Sequence, residues 1–324
     1  MSHDILPTFG TLFRLQGEWA LSTTSKAPAR TAANNNTDND RALIRWQEAS
    51  SLAGQMNWSA VQRLIDYLGD DHPFVRWQAG LALAETAARL RSRARLGFPI
   101  WSRQAPELTF SSLLMRLNQS LHDVDPGRRA ATADALALWR HEVVANLLVE
   151  ALERDSDPQV RASTAMALGK IGDKTAIRAL IAALSDTSIW VQRAAADALG
   201  AIAAPEAVTA LEQAMQNGQS LLKSSIVCAL GHMPTARARA ILAHCTEDED
   251  PALRWYAARG LSAIGNTGSL PALQRLLEDQ TTLFGQPLSE MAATAIETIE
   301  RRERGLFNWL RKQFFALRRL LERK

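Results

Sequence analysis

The side chains able to do chemistry are few and scattered. Six histidines stand at His3, His72, His122, His141, His232 and His244, and no two have the i, i+4 spacing that puts a pair of zinc ligands on one helix face. Cys228 and Cys245 are the only cysteines. They form no Cys-x-x-Cys and are too few for a disulfide framework, and each sits in a helical slot that a small apolar residue would fill, so both are expected to be reduced and at least half-buried. Cys228 has no basic partner at helical spacing to lower its pKa, which argues against a redox or nucleophilic role. Glycine-rich phosphate loops and the Gly-x-Ser-x-Gly elbow are missing as well. Catalysis needs several polar groups converging in a pocket, and the sequence shows no such set. No catalytic residue, metal ligand or cofactor is therefore assigned, and the expectation is a protein that is not an enzyme.

The elements that must position any binding residue are written as a repeat. Advancing by 31 from Leu180 reaches Leu211, Leu242 and Leu273. Further registers run Val160, Val191, Leu222, Leu253; then Leu168, Leu199, Leu230, Leu261; then Ile171, Ile202, Met233, Ile264. Small residues keep step too, with Ala167, Ala198, Ala229 and Gly260 in one slot and Gly169, Gly200, Gly231 and Ser262 in another. A unit of this length made of two helical patterns cannot bury its own apolar face, so neighbouring copies must stack. The fold expected is all-α: a right-handed α-solenoid of about seven helix pairs over residues 41–300.

The phrase Asp-Pro-x-Val-Arg-x-x-x-Ala-x-Ala-Leu-Gly-x-Ile-Gly, clearest at Asp157–Gly172 and followed by Ala176–Leu184, resembles the HEAT-repeat family, in particular its short bacterial phycobilisome-lyase-like form. That resemblance is specific for architecture; the wider family includes scaffolds, chaperone-like adaptors, bilin lyases and a few enzymes. It implies that Asp157 and Arg161 belong to a turn-and-ladder network stitching repeat to repeat, with Asp71/Arg76, Asp125/Arg129 and Asp250/Arg254 in the same roles. Gln192 and Lys223 replace the arginine in the fourth and fifth copies, while Ser188 and Gln219 replace the aspartate, so the ladder is expected to break there. His141-Glu142 is similar to one of the His-Glu pairs with which HEAT-repeat deoxyhypusine hydroxylases hold di-iron. That family needs several such pairs, and here one stands alone.

In stacked helix pairs the second helices line the concave side, which is where such proteins bind. On the helix opening at Asp157, Val160, Thr164, Ala167, Leu168 and Ile171 share the core face, leaving Gln159, Ser163, Met166 and Lys170, with Ala162 beyond, to look outward. Steps of 31 place Trp190, Arg193, Asp197, His232, Trp255, Tyr256 and Arg259 on the same side, and the Asp-Pro phrase adds Trp77. Trp, Tyr and Arg dominate binding hot spots, so Trp77, Trp190, Arg193, Trp255, Tyr256 and Arg259 are the candidate partner-binding residues. Phe98 and Trp101 join them. They lie in a basic insertion, 91–108, that interrupts the repeat after the first pair, and insertions in solenoids often carry binding. Near the other end, Phe284–Ser289 reads as the start of the second helix of a seventh, degenerate pair.

Both termini depart from the repeat. Residues 1–21 are apolar but broken by Pro7, Gly10 and Gly17, and read as a docking segment; 22–40 are polar and simple, and read as a flexible linker. Residues 301–324 carry nine basic side chains against two acidic ones, a net +7, so that the overall +3 leaves the rest of the chain at −4. On a helical wheel Phe307, Leu310, Phe314, Leu317 and Leu321 form an apolar stripe beside Trp309, with Arg311 and Arg318 at its border and Lys312 and Arg319 opposite. Three uses fit this basic amphipathic helix: a cap on the solenoid's end, a partner's groove, or an anionic membrane surface. The acidic body argues against nucleic acid. No apolar run reaches the roughly 20 residues of a membrane span, and the start lacks a secretory signal, so a cytoplasmic setting is expected, with peripheral membrane contact through the last helix. The sequence reads as a scaffold or adaptor for a protein partner, the alternative being a chromophore (bilin) lyase or a chaperone-like factor acting on a pigment-binding protein.

Overall fold

The computed structural model describes residues 32–95, 108–217 and 219–321, without the side chains of 32–37, 95, 217 and 306–321. The chain divides into two units, residues 1–48 and 49–324. Helix α1, Ala32–Leu52, covers the described part of the first unit and runs into the second. Helix thus begins inside the stretch expected to be a tether: once Arg41–Leu52 has formed, extending it back through asparagines is cheaper than nucleating anew. The apolar segment 1–21 lies outside the described residues.

Among the described residues the second unit holds seven helix pairs: α2 and α3 (Trp58–Tyr67, Pro73–Arg95), α4 and α5 (Phe110–Ser120, Pro126–Ala137), α6 and α7 (Glu142–Arg154, Pro158–Ile171), α8 and α9 (Ile177–Ala183, Ile189–Ile202), α10 and α11 (Val208–Asn217, Ser220–Leu230), α12 and α13 (Ala236–Cys245, Pro251–Ile264), α14 and α15 (Leu270–Arg275, Leu288–Leu321). The 31-residue period is visible in the elements themselves, since second helices start at 158, 189, 220 and 251. Asp125, Asp157 and Asp250 accept hydrogen bonds from the first free amides of their helices, with proline at the first helical position where its missing N–H costs nothing.

The periodic leucines and valines are the core. Leu180, Leu211, Leu242 and Leu273 are buried, as are Leu168, Leu199, Leu230, Leu261 and Val160, Val191, Leu222, Leu253. The fourth register is weaker: Met233 is buried, whereas Ile171, Ile202 and Ile264 are only half-buried at helix ends. Each second helix packs on the next, and these contacts are far more extensive than those between first helices. The stack is therefore tighter on the second-helix side, as the concave layer of a solenoid must be. Glycine makes that approach possible: a methyl at Gly169 would sit 2.7 Å from Ala198 Cα, and one at Gly200 2.8 Å from Ala229 Cα. The stack corrects the expected outward flank, because Ala162 and Ser163 are buried in it and only Gln159, Met166 and Lys170 reach solvent.

Repeats are stitched by arginine, but not with the aspartates expected. Arg161 donates from Nε and Nη2 to both carboxylate oxygens of Asp186 in the next repeat, at 2.8 Å each, and from Nη1 to the carbonyls of Asp155 and Ser156 in its own turn. Arg129 does the same with Asp155, and Arg254 bonds Asp279. Asp125, Asp157 and Asp250 are helix caps; Asp155 and Asp186 lie two residues before the cap positions 157 and 188, where the turn aims each across the junction. Arg76 reaches the carbonyls of Asp70 and Asp71. At the next position Gln192 keeps the turn contact, Nε2 to the Asp186 carbonyl at 2.6 Å, but has no charge to offer an acid.

Two expected boundaries shift. Residues 91–95 are the last turn of α3 rather than the start of a loop, and 96–107, with Phe98 and Trp101, lie outside the described residues. Thr282–Leu283 and Gln286–Pro287 pair as a short antiparallel hairpin, so the helix of the seventh pair opens only at Leu288. From there α15 runs unbroken to Leu321, making the basic C-terminal stretch the continuation of a repeat helix rather than a separate one.

Candidate functional site

On the second helices the repeat fixes the core slots and leaves three further slots free to vary. The second residue of each helix is Phe74, Gly127, Gln159, Trp190, Leu221 and Ala252 in turn. The fifth is Trp77, Ala130, Ala162, Arg193, Ser224 and Trp255; the ninth is Leu81, Asp134, Met166, Asp197, Cys228 and Arg259. On α3 these slots hold the apolar Phe74, Trp77 and Leu81; on α9 and α13 arginine joins the aromatics, and there the structure brings the predicted residues together.

Arg193 lies over the Trp190 ring, 5.6 Å from its centroid, and Arg259 lies over Trp255 at 5.7 Å. Each pair is one helical turn apart, which is why the guanidinium can lie on the indole. Arg193 Nε also reaches Ser225 Oγ on α11, at 3.4 Å. Trp255 meets Tyr256 edge-on at 5.3 Å, and both meet Phe284 at the tip of the hairpin, at 4.9 and 6.1 Å. Phe284 is 67% exposed and holds a left-handed backbone, φ +52°, that the following Gly285 helps the tight turn accommodate. It was missed in the sequence, where Phe-Gly looked like the start of a helix; an aromatic followed by glycine inside a polar turn was the available signal. Trp190 is 40% exposed, while Trp255 and Tyr256 are half-buried.

The electrostatics tie these groups into one neighbourhood. Burial pushes the Tyr256 phenol above its usual range, with Cys228 and Asp197 acting the same way and Arg259 and Arg193 opposing. Burial likewise raises the Asp197 carboxyl, although the residue as a whole is exposed, while Arg193 and a hydrogen bond with Ser225 pull it back. The Cys228 thiol is pushed up by burial despite Arg259 beside it, and Cys245 is pushed up to about 11, so neither has thiolate character near neutral pH.

The remaining candidates lie apart. Trp77, 49% exposed, is on α3 in the first pair, with Phe74 and Leu81 exposed beside it. His232 is exposed on α11, its Nδ1 3.1 Å from the Cys228 carbonyl. His141 caps α6, with Nδ1 accepting from the Val143 N–H at 3.3 Å and its ring against Phe110; the His141-Glu142 pair is thus a helix start. Among the described residues no group of three or more His, Cys, Asp or Glu could hold a metal ion. Phe307, Trp309, Leu310, Arg311, Lys312, Phe314, Leu317, Arg318, Arg319 and Leu321 sit on the described backbone of α15, and their side chains lie outside the described residues. No helix among the described residues is long and apolar enough to cross a membrane.

This arrangement can grip through stacking, apolar contact and guanidinium hydrogen bonds; it contains no nucleophile paired with a base. No curated protein matches the chain. Among solved structures, YibA of Escherichia coli is similar at 15% identity with a TM-score of 0.51, over 85% of this chain and 99% of that one. The complex of CpcE and CpcF of phycocyanin lyase from Nostoc sp. PCC7120 is similar at 22% identity, TM-score 0.41, over 74% and 94%. Human deoxyhypusine hydroxylase in complex with glycerol is similar at 20% identity, TM-score 0.30, over 80% and 98%. Likeness at these identities speaks to the fold alone. The HEAT-repeat profile matches residues 113–180, 145–228 and 219–284, more than half of the chain, on the very helices whose 31-residue stacking has just been described. The chain belongs to the HEAT-repeat family.

Proposed function

We propose that this protein is a non-enzymatic scaffold that holds a protein partner on the second-helix face of pairs four to six. The observation that carries this reading is that these helices set arginine against aromatic residues, Arg193 over Trp190 and Arg259 over Trp255, with Tyr256 and Phe284 meeting Trp255. Packing of the solenoid does not require them, since Ala130 and Ala162 serve in the Arg193 slot. Large, rigid, half-exposed aromatics flanked by arginine are what a protein hot spot is made of. The test is affinity capture from the native host with the intact chain, a Trp190→Ala/Trp255→Ala variant, and a Val143→Ala control in the first-helix layer. The reading expects one protein retained by the wild type and the control and lost by the double variant; equal retention by all three contradicts it.

The last helix gives this scaffold a membrane seat in the same reading. Arg302 anchors α15 to the Gly265 and Ser262 carbonyls, at 3.1 and 2.6 Å, and the helix then continues unbroken through the basic amphipathic stretch to Leu321. Flotation of the intact chain and of a 1–304 truncation with phosphatidylserine vesicles checks it, and flotation of both alike, or of neither, removes it. A bilin-lyase role receives no support from the site, whose half-buried thiol, Cys228, is held protonated; incubation with free bilins should leave their absorption unshifted.

A further inference from the structure

Most arginines that begin the second helices are engaged with their own fold. Arg129, Arg161 and Arg254 are locked to aspartates, and Arg76 to carbonyls. Arg193 and Arg259 differ: neither lies within ion-pair distance of a carboxylate among the described residues, and each lies over an indole, at 5.6 and 5.7 Å from the ring centroid. A cation–π contact of this kind leaves guanidinium N–H groups to bond a carboxylate. Ser225 takes only the Nε of Arg193, and weakly, at 3.4 Å. Both cations are near enough to the Tyr256 hydroxyl to oppose the rise in its pKa, which puts them in one neighbourhood. In that neighbourhood Trp190, under Arg193, and Phe284, against Trp255, expose apolar surface.

We propose, building on the scaffold reading above, that the segment bound here is an acidic one, with carboxylates set beside apolar side chains, and that Arg193 and Arg259 are its carboxylate receptors. Asp197 tempers the site. It is the carboxylate of this neighbourhood, it lies one turn from Arg193, and it opposes any incoming anion in proportion to its ionisation. Its removal should therefore strengthen binding of an acidic segment and weaken that of a basic one, a sign that no purely apolar groove would show. Charge matters to which sequence is chosen more than to total grip, because the stacked aromatics supply contact area to any apolar side chain.

A random dodecapeptide display library panned on the full-length protein tests this. Wild type should enrich peptides with Asp or Glu next to Leu, Ile, Phe or Trp. For one enriched peptide, Arg193→Met/Arg259→Met should weaken binding at least tenfold, Arg193→Lys/Arg259→Lys should restore only part of it, and Asp197→Asn should tighten it severalfold. Circular dichroism of each variant confirms that the helices remain. Enrichment of basic or uncharged peptides, weaker binding by Asp197→Asn, or unchanged binding by the double Met variant overturns the inference. Tighter binding of a dodecauridylate than of any enriched peptide overturns it too, in favour of single-stranded RNA. If the captured partner depends on Trp190 and Trp255 but stays on Arg193→Met/Arg259→Met, the groove reading stands and the acidic segment falls.

Discussion

Helices α7 and α9 occupy the same place in consecutive repeats, and almost every device that stabilises the first is missing from the second. Asp157 caps α7, whereas Ser188 at the start of α9 makes no side-chain cap. Arg161 holds Asp186 with two bonds, while Gln192 in its place holds only a carbonyl. At the far end Gly172 takes the left-handed conformation at φ +77°, and Ala203, 31 residues on, is forced into the same region at φ +55°. Yet the core slots are alike: Val160 and Val191 are buried, as are Leu168 and Leu199, and Gly169 and Gly200 meet their neighbours at similar distances. Stacking is thus carried by leucine, valine and glycine, and the caps and rungs only add to it. On α9, where they are absent, the variable slots hold Trp190 and Arg193, whereas α13 keeps the Asp250 cap and the Arg254–Asp279 rung beside Trp255 and Arg259.

The largest expected effect tests what the two helices share. Gly169→Val and Gly200→Val each drive a branched side chain into the backbone of the next second helix, and each should cost about 3 kcal/mol or more by thermal or urea unfolding. A large difference between them would show that the two junctions do not rest on the same contact. Next come the rungs. Arg161→Met strands the largely buried Asp186 carboxylate and should cost about 2 kcal/mol, while Gln192→Met should cost under about 1 kcal/mol.

Acid sharpens the same contrast. The carboxyls of Asp155 and Asp186 are held below their ordinary values: burial opposes the shift, but Arg129 and Arg161 and the turn amides outweigh it. Because the folded pKa is depressed, the rung contribution is complete above the ordinary aspartate value of about 3.9 and is lost as pH falls through the folded value. Hydrogen exchange at α7 should therefore accelerate below about pH 4 in wild type, and Arg161→Met should remove most of that pH dependence. The smallest effect concerns the helix ends. Ala203→Gly should stabilise by about 1 kcal/mol and Gly172→Ala should destabilise by a similar amount, since only the glycine accepts φ near +60° without strain. Equal signs for the two would mean that the left-handed ends are not what separates α7 from α9.

The repeat and its core were legible because burial repeats with the period: one leucine every 31 residues is a signal that no single helix pattern could hide. The rung acids were not legible. Asp157 stands in the Asp-Pro phrase, but the geometry of the turn aims Asp155 and Asp186 across the junction, and a sequence does not show which way a turn points its carboxylate. The candidate site was half legible for the same reason. Stepping by 31 found Trp190, Arg193, Trp255, Tyr256 and Arg259, whose slots are set by helical phase, and missed Phe284, which a hairpin outside the repeat carries to them. Ser163 and Ala162 were placed outward because one helix was considered alone, whereas in the stack both are buried.

The central claim is that the second-helix face of pairs four to six grips a protein. A photo-crosslinking amino acid at Leu221, exposed on the second helix of the fifth pair, compared with one at Met115, exposed on the first helix of the second pair, tests it in the native host. The account predicts a discrete crosslinked polypeptide from position 221 that disappears with Trp190→Ala/Trp255→Ala, and none from position 115. Crosslinks from position 115 alone, or a product at 221 indifferent to both tryptophans, would contradict it.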